Sequence, residues 1–284
     1  MVNHNGQFFD ENDSIFQHDN RGFKYGDGVF ETIRVVNGDI FFWEDHYFRL
    51  MASMRMLRME IPMDFTLEHI QQEILNTVEK NNLANTPTRV RITVYRNQGG
   101  LYTPEDNSIS YVIEVNPLAS PFYILPEQSY EVELFKDYYI NKDMLSQLKT
   151  TNKILNVLAG VYAKENGYDN CILLNTEKQV VEAINGNVFL VKGNTVKTAP
   201  LQDGCLNGIV RKKLIEIIES STDLELSETS ISPFELQKAD EFFITNSVSG
   251  IIPISKYRKK SYTNTVAKNL LGKLNTKARM EVAN

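Results

Sequence analysis

The sequence has few of the residues that build metal centres or disulfide frameworks. Its 284 residues include two cysteines, Cys171 and Cys205, and four histidines, and their spacing matches no zinc motif. We therefore expect neither a disulfide framework nor a metal site. No hydrophobic run approaches the roughly 20 residues that span a bilayer, and residues 1–13 lack the basic and apolar segments of a signal peptide. These absences predict a cytoplasmic protein.

Positive charge is also in slight deficit, because 30 Lys and Arg stand against 36 Asp and Glu, for a net charge of −6. An acidic balance argues against binding nucleic acid through its phosphate backbone, although it allows one local basic site. Apolar residues make up 42% of the chain, which is ordinary for a globular protein. Composition alone is compatible with an enzyme or with a binding protein.

The length and the distribution of proline predict two domains. At roughly 150 residues per domain, this chain is long enough for two. Residues 116–128 (NPLASPFYILPEQ) hold three of the nine prolines, which marks the expected connection. We predict an N-terminal α/β domain over residues 1–120 and a C-terminal domain over residues 121–284.

Turn dipeptides and hydrophobic periodicity predict the secondary structure. Asn37-Gly38 favours a hairpin between strands at 28–36 and 39–43. Alternating patterns predict further strands at 89–95, 110–115, 130–135, 171–174, 180–182, 188–191, 195–197 and 240–245. Helices are expected at 44–59, 66–81, 154–166, 209–219 and from about 263. Runs of strands with scattered helices predict a mixed α/β (α+β) fold.

Two charged side chains could carry chemistry. Lys149 lies in a polar stretch that enters an apolar segment (SQLKTTNKILN). It is either a solvated surface residue or a desolvated amine that forms a Schiff base with a carbonyl. Glu182 lies at the end of an apolar strand (VVEAINGNVFL). It is either an outward charge on an edge strand or a buried carboxylate that needs a cationic partner.

A third feature is the glycine-containing turn at 206–211 (LNGIVR), which opens a predicted helix. A helix N-terminus suits a phosphate, because it presents free N–H groups and the positive end of the dipole. Many helices begin after a glycine, so this signal is weak alone. Together with Lys149 and Glu182, however, it matches the needs of pyridoxal 5′-phosphate: an amine for the aldehyde, an acid for the ring nitrogen and an anion site for the phosphate.

Several motifs together resemble one enzyme family. The segments KTTN at 149–152, VEAINGNVF at 181–189 and LNGIVR at 206–211 are similar to fold-type IV pyridoxal-phosphate enzymes. These are the class IV aminotransferases, with branched-chain aminotransferase, D-amino acid aminotransferase and 4-amino-4-deoxychorismate lyase among them. Independent matches are RGFKYGDGVFETIR at 21–34, HYFRL at 46–50 and DEFFITNS at 240–247. The resemblance covers residues 3–257 in consistent order, so the sequence is identified as a member of this family.

The resemblance implies a fold and a set of site residues. The expected fold has a smaller N-terminal α/β domain and a larger C-terminal mixed α/β, barrel-like domain that carries the catalytic lysine. Lys149 is implied to form the imine and to move the proton between substrate and cofactor, and Glu182 to face the pyridinium nitrogen. The residues implied to bind the cofactor are Lys149, Arg49, Glu182, Asn187, Gly208, Ile209, Val210, Asn246 and Ser247. Many relatives have Thr in place of Val210, so one hydroxyl contact to the phosphate is expected to be missing.

The resemblance does not extend to the anchor for the substrate carboxylate. The Lys-x-x-Asn run is similar to the D-amino acid aminotransferase and lyase branch, but residues 96–104 (RNQGGLYTP) lack the Arg-Asn-His anchor of the former. They match the lyase pattern only in part, and the branched-chain pattern is absent. An arginine fork binds a carboxylate bidentately, so Arg34, Arg91 and Arg96 are candidate substrate residues. Phe30 is a fourth candidate, because by the resemblance it stands where D-amino acid aminotransferase has a substrate-side tyrosine. Strand alternation places Arg91 and Thr93 on one face and leaves open whether that face points inward.

The motifs predict a pyridoxal-phosphate-dependent aminotransferase. It would move an amino group between an amino acid, branched-chain amino acids included, and a 2-oxo acid in a ping-pong cycle. One alternative is a lyase that releases pyruvate from 4-amino-4-deoxychorismate and leaves 4-aminobenzoate. Another is a catalytically silent cofactor-binding protein, which the intact set of Lys149, Glu182 and Arg49 disfavours. We expect small-molecule substrates and no nucleic acid or membrane partner, and the resemblance implies a homodimer in which each active site borrows a loop from the partner.

Overall fold

The structure, a computed structural model, describes residues 1–281 and divides into two compact units. Unit 1 comprises Met1–Pro121, Lys149–Asn152 and the described residues from 278 on, and unit 2 comprises Phe122–Leu148 and Lys153–Lys277. The boundary after residue 120 stays a prediction. Residues 149–152, which that prediction assigned to the C-terminal domain, lie in unit 1.

Unit 1 contains six strands and three helices. In chain order they are β1 (Val2–His4), β2 (Gln7–Phe9), α1 (Arg21–Tyr25), β3 (Gly28–Val36), β4 (Asp39–Ile40), α2 (Trp43–Met56), α3 (Leu67–Lys80), β5 (Thr88–Arg96) and β6 (Ile109–Pro117). The strands form one antiparallel sheet in the order β2-β1-β6-β5-β3-β4.

The core of unit 1 follows from the alternation of its strands and the stripes of its helices. Ile33 on β3 and Ile92 on β5 are fully buried, and they belong to one hydrophobic cluster with Leu50 of α2 and Ile70 of α3. The side chain of Thr66 caps α3 by accepting the N–H of His69 at 3.2 Å, which satisfies a donor that the first helical turn leaves open. The sheet therefore has one face covered by α2 and α3.

Unit 2 contains ten strands and four α-helices. In chain order they are β7 (Glu131–Leu134), α4 (Ile154–Asn166), β8 (Asn170–Leu174), β9 (Val180–Ala183), β10 (Gly186–Lys192), β11 (Thr195–Thr198), α5 (Ile209–Glu219), β12 (Glu225–Glu228), α6 (Pro233–Leu236), β13 (Glu241–Asn246), β14 (Gly250–Pro253), β15 (Lys256–Tyr257), β16 (Lys260–Ser261) and α7 (Thr265–Met280), the last turn of which belongs to unit 1. A short 3₁₀ turn at Leu201–Asp203 precedes α5.

The sheet of unit 2 is mixed. Its main path is β12-β11-β10-β9-β8-β7-β15-β16, and β13 pairs with both β10 and β14. The pairs β11–β12, β7–β8 and β7–β15 are parallel, and the others are antiparallel. Both faces of β10 are buried, and the rings of Phe189 and Phe243 stack with centroids 5.2 Å apart. Strands and helices alternate irregularly in both units, so the fold is mixed α/β.

The structure adds elements that were not predicted and changes several predicted boundaries. The N-terminal hairpin β1–β2 was not predicted, although Asn5-Gly6, with φ of 50° and 81°, is the same turn dipeptide as Asn37-Gly38. Strand β4 ends at Ile40 instead of 43, because Phe42 has a positive φ and α2 begins after it. Helix α2 ends at Met56 instead of 59, since Arg58 also has a positive φ. None of the helices within residues 1–281 has the length and hydropathy to cross a bilayer.

Candidate active site

The main chain of Lys149 is hydrogen bonded to the start of β3. The N–H of Phe30 donates to the carbonyl oxygen of Lys149, and the N–H of Thr151 donates to that of Gly28, each at 2.9 Å. These two bonds are the pattern of a short antiparallel pairing. The segment that carries the predicted catalytic lysine is therefore attached to the sheet of unit 1.

The side chain of Lys149 lies against the ring of Phe30. Its Nζ is 4.4 Å from the ring centroid, and the guanidinium carbon of Arg91 is 3.7 Å from the same centroid. Phe30 is 8% exposed and Lys149 is half-buried. A cation near an aromatic face is attracted by the ring quadrupole. One buried ring therefore positions an amine and a guanidinium in the same region of unit 1.

The opposite face of β3 holds an ionic cluster of the buried Glu31 and His46 with the partly buried Arg49. Arg49 donates from Nε to Oε1 of Glu31 at 2.7 Å and from Nη2 to Oε2 at 2.6 Å. Nδ1 of His46 lies 2.7 Å from Oε2 of the same carboxylate. His46 and Arg49 are three residues apart on α2, so they share a helix face. The predicted phosphate-binding arginine is thus oriented by a bidentate carboxylate.

The charges in this cluster shift the pKa values of its members. Burial alone would raise the pKa of Glu31, but the positive charge and hydrogen bonds of Arg49 and the hydrogen bond of His46 lower it to about 2. Burial lowers the pKa of His46, and the charges of Arg49 and Lys149 lower it further against the opposing effect of Glu31. Glu31 is therefore ionised and His46 neutral at pH 7.

In unit 2, three polar side chains form a row across neighbouring strands. Asn187 on β10 is paired in register with Glu182 on β9 and with Thr245 on β13. Residues directly opposite in antiparallel strands point to the same face. The hydroxyl oxygen of Thr245 is buried and has no hydrogen-bond partner within the described part of the chain. Strand β9 lies between β8 and β10, so Glu182 is not on an edge strand.

Two residues of this row, Glu182 and Asn187, form hydrogen bonds with the turn before α5. Oε2 of Glu182 accepts the N–H of Leu206 at 3.0 Å, and Nδ2 of Asn187 donates to the carbonyl oxygen of Leu206 at 2.7 Å. A Cβ on Gly208 would lie 2.0 Å from Oδ1 of Asn187, so any larger residue here would push the side chain of Asn187 out of its place. Glycine at 208 thus allows the turn to lie close to the side chain of Asn187.

Helix α5 begins directly after Gly208. Its first residues, Ile209 and Val210, are buried. The N–H groups of a first helical turn have no acceptor within their own helix, and together with the helix dipole they favour an anion. The predicted phosphate-binding residues Ile209 and Val210 are therefore at the position in unit 2 where their N–H groups can serve that purpose.

The turn between β13 and β14 contains the last two predicted phosphate residues. Oδ1 of Asn246 accepts the N–H groups of Val248 at 3.0 Å and Ser249 at 2.8 Å. The hydroxyl of Tyr123 donates to the carbonyl oxygen of Ser247 at 3.2 Å. The side chain of Asn246 thus shapes the turn, and Tyr123, in the segment predicted to connect the domains, holds it by this hydrogen bond.

Most of the chain matches the sequence profile of a single family. The match is to amino-transferase class IV and runs over residues 28–257, which include Lys149, Arg49 and the polar row. The chain belongs to this family. The family predicted from the motifs, and with it the prediction of an aminotransferase-family enzyme, is therefore confirmed.

Individual relatives of this class IV aminotransferase align with nearly its whole length. A Methanocaldococcus jannaschii protein, whose name provisionally assigns it to the branched-chain-amino-acid aminotransferases, is 31% identical over 96% of this chain and 93% of its own length. A D-alanine aminotransferase of Staphylococcus epidermidis is 26% identical over 89% of this chain and 87% of its own. The crystal structure of the branched-chain aminotransferase of Thermoproteus uzoniensis with norvaline has a TM-score of 0.86 and 27% identity, covering 99% of this chain and 94% of that one. The expected fold-type IV architecture is confirmed by this similarity.

The structure decides which way the arginines of this class IV aminotransferase face. Val90, Ile92 and Val94 are buried in the core of unit 1. Since side chains alternate along a strand, Arg91 and Thr93 point away from that core. Arg91 lies on the same side as Phe30, its Nε donates to the hydroxyl of Thr93 at 3.1 Å, and burial lowers its pKa. Arg91 is thus next to Lys149 across one aromatic ring.

The other two candidate arginines, Arg34 and Arg96, are buried and form hydrogen bonds with neighbouring loops. Arg96 donates from Nε to Asp27 at 3.0 Å and from its terminal nitrogens to Asn107 at 2.6 Å and to the carbonyl oxygens of Leu57 and Arg58 at 2.6 and 3.2 Å. Arg34 donates to the carbonyl oxygen of Ser120. Four of the five N–H donors of Arg96 are used in this way, and its role towards the substrate stays a prediction.

Proposed function

We propose that this class IV aminotransferase binds pyridoxal 5′-phosphate and moves an amino group between an amino acid and a 2-oxo acid. The family is in general dependent on this cofactor. The observation that carries the proposal is the amine of Lys149, whose main chain is hydrogen bonded to β3 and whose Nζ lies 4.4 Å from the ring of Phe30. When bound, the cofactor supplies an electron sink for the substrate Cα.

The residues of unit 2 fit such a cofactor. The buried hydroxyl of Thr245 lacks a hydrogen-bond partner in the described chain, which indicates that a further group belongs in this region. In the proposal, Glu182 holds the ring nitrogen in its protonated form, because a carboxylate stabilises the positive charge. The N–H groups of Ile209 and Val210 bind the phosphate.

Asn187 and Gly208 support these contacts indirectly. Asn187 holds the turn that leads into α5, and Gly208 allows the turn to approach β10. The turn that contains Asn246 and Ser247 adds polar groups for the phosphate, as the resemblance implies. Val210 has no hydroxyl, so its contribution is the main-chain N–H alone.

In unit 1 the proposal assigns three roles. Lys149 would hold the cofactor through its amine; with that amine free, it would take the proton from Cα of the amino donor in one half-reaction and deliver a proton to Cα of the newly formed amino acid in the other. Arg49, oriented by Glu31, supplies positive charge to the phosphate. Arg91 binds a substrate carboxylate, because its guanidinium is fixed on the ring of Phe30 at 3.7 Å.

We expect branched-chain L-amino acids to be amino donors. The 31% identical relative carries a branched-chain name, and so does the 27% identical solved structure. The test is an amino-donor panel of L-isoleucine, L-glutamate and D-alanine with 2-oxo acids, in which L-isoleucine should react at least about tenfold faster than D-alanine. A preference for D-alanine would contradict the donor class.

The same panel includes 4-amino-4-deoxychorismate without an amino acceptor. An aminotransferase releases no pyruvate from this compound, because its cycle requires a 2-oxo acid to regenerate the starting form. Pyruvate release would contradict the aminotransferase assignment and favour the lyase.

We also propose that the enzyme is a homodimer, as the resemblance implies. The stripe of Ile154, Val157, Leu158 and Val161 on α4 is apolar and exposed, and an exposed stripe of this kind is typical of an interaction surface. Light scattering should give about twice the 32.5 kDa of one chain, and Val157→Glu should lower that mass. A wild-type mass of one chain would contradict the proposal, and the exposed Lys164→Ala on the same helix serves as the control.

A further inference from the structure

A cavity lies in unit 2 at the ends of three parallel strands. Strands β8, β7 and β15 are neighbours and run in the same direction. Their last residues, Leu174, Leu134 and Tyr257, line a cavity of about 520 Å³, which is within the range of small-molecule sites. Where parallel strands end, their loops diverge and leave a crevice in which ligands bind. None of the proposed cofactor residues lines this cavity.

Each of the three strand ends places one cation in the wall of this strand-end cavity. Lys136 follows β7, Lys178 lies in the turn after β8, and Arg258 follows β15. Lys178 and Arg258 have φ of 63° and 54°, a conformation that glycine or asparagine adopts more easily. The chain thus keeps a basic side chain at two turn positions where the backbone favours other residues.

Of the three cations in the wall, Arg258 is paired with a carboxylate and the two lysines are not, within the described part of the chain. Within residues 1–281 no acidic partner contacts the ammonium group of Lys136 or Lys178. Nε of Arg258 donates to both carboxylate oxygens of Glu133 at 3.1 Å, which orients its terminal amino groups. The single acidic wall residue, Glu177, is paired with Lys142 at 2.7 Å. The cavity therefore has a local charge of about +2 in a chain whose net charge is −6.

The remaining lining suits a flat ring. Leu134, Leu174 and Tyr257 form a buried apolar floor, and the rim carries the rings of Tyr139 and Phe234, of which Phe234 is 77% exposed. An exposed aromatic rim gains by stacking on another ring. A phosphate monoester carries a charge of nearly −2 at pH 7, which matches the cationic wall.

We propose that the strand-end cavity binds a nucleoside monophosphate. The phosphate contacts Lys136, Lys178 and the terminal nitrogens of Arg258, and the base lies on the apolar floor between Tyr139 and Phe234. The site is separate in its residues from the proposed cofactor site, and it gives the enzyme a place at which a nucleotide can bind without competing for Arg49.

The test is calorimetric titration of the full chain with AMP, adenosine and inorganic phosphate, in the presence of saturating pyridoxal 5′-phosphate. AMP should bind saturably and more tightly than either fragment. The double variant K136A/K178A should weaken AMP binding by roughly a hundredfold, about tenfold for each charge-assisted contact removed. The control K268A/K273A removes two exposed lysines of α7, and therefore as much positive charge as K136A/K178A. It should change the affinity for AMP less than about twofold.

Several results would overturn the proposal. These are the absence of saturable AMP binding, equal affinities of wild type and K136A/K178A, or an equal loss in K268A/K273A. If adenosine or phosphate bound as tightly as AMP, the proposal that the site contacts both the phosphate and the base would be overturned. Circular dichroism of both variants checks that they fold, and Arg258→Gln provides an independent variant of the same wall, with an expected loss of about tenfold for the one charge removed.

Discussion

Lys149→Ala should reduce amino transfer at least about a thousandfold, because the group proposed to move the proton at the substrate Cα is removed. The variant should also lack the absorbance band near ~410 nm that pyridoxal phosphate acquires when it is bound through a lysine amine. The fold should survive, since the side chain is half-buried and the bonds that attach this segment to β3 are made by main-chain atoms. Amino transfer and the cofactor spectrum are measured on the same preparation.

Lys164→Ala is the matched control for this experiment. Lys164 is an exposed lysine in the last turn of α4, so its removal should leave the rate and the spectrum unchanged. Activity of Lys149→Ala above a few per cent of wild type would contradict the assignment of the catalytic lysine. A wild-type protein without the absorbance band would contradict the cofactor proposal itself.

Glu31→Ala should destabilise the protein by about 3–5 kcal/mol, because it leaves the guanidinium of Arg49, whose side chain is only 12% exposed, without the carboxylate that pairs with it. Glu31 is 1% exposed and binds Arg49 through two hydrogen bonds and His46 through a third. Glu31→Gln should cost less, since its amide oxygen still accepts one of these bonds. Urea unfolding gives the free energy of each variant.

Glu114→Ala is the control for a weak ion pair on the same sheet. Glu114 is half-exposed and lies 3.9 Å from Arg91, so its removal should change the free energy of unfolding by less than about 1 kcal/mol. If Glu31→Ala and Glu114→Ala lowered the free energy of unfolding equally, burial would not be the reason that the Glu31 cluster stabilises the protein.

The acid sensitivity of the protein should change with Glu31. Its pKa in the folded protein, about 2, lies below the ordinary value of 4.5. The stabilisation from ionised Glu31 is therefore complete above 4.5 and is lost as the pH falls towards 2. This part of the pH dependence should be absent from Glu31→Ala.

In the Glu31 cluster, the sequence patterns identified one member, Arg49, and missed another, Glu31. The motif HYFRL indicated Arg49, but Glu31 was not singled out, although it is an acid in an apolar strand (GVFETIRVV). The rule applied to Glu182, that a buried carboxylate needs a cationic partner, applies to Glu31 as well. His46 and Arg49 at a spacing of three provided the second signal.

The contacts of Thr245 and Leu206 could not have been predicted from local patterns, although both residues lie in motifs. Thr245 is distant from Glu182 and Asn187 in sequence, and only the pairing of β13 with β10 places the three in one row. The contact of Glu182 with Leu206 likewise spans 24 residues. Strand order and register determine these contacts, and neither is visible in the alternation of a single strand.

The amino-acid sequence by itself determined the family, through the resemblance of its motifs. It also determined the mixed α/β class and most of the elements, because these depend on local composition, turns and periodicity. The tertiary structure decided which face of β5 carries Arg91 towards Phe30 and that Arg96 holds loops. The physical reason is that a period of two defines which residues share a face but not what the face meets. That depends on how strands distant in sequence pair, and on the closely packed contacts that their pairing creates.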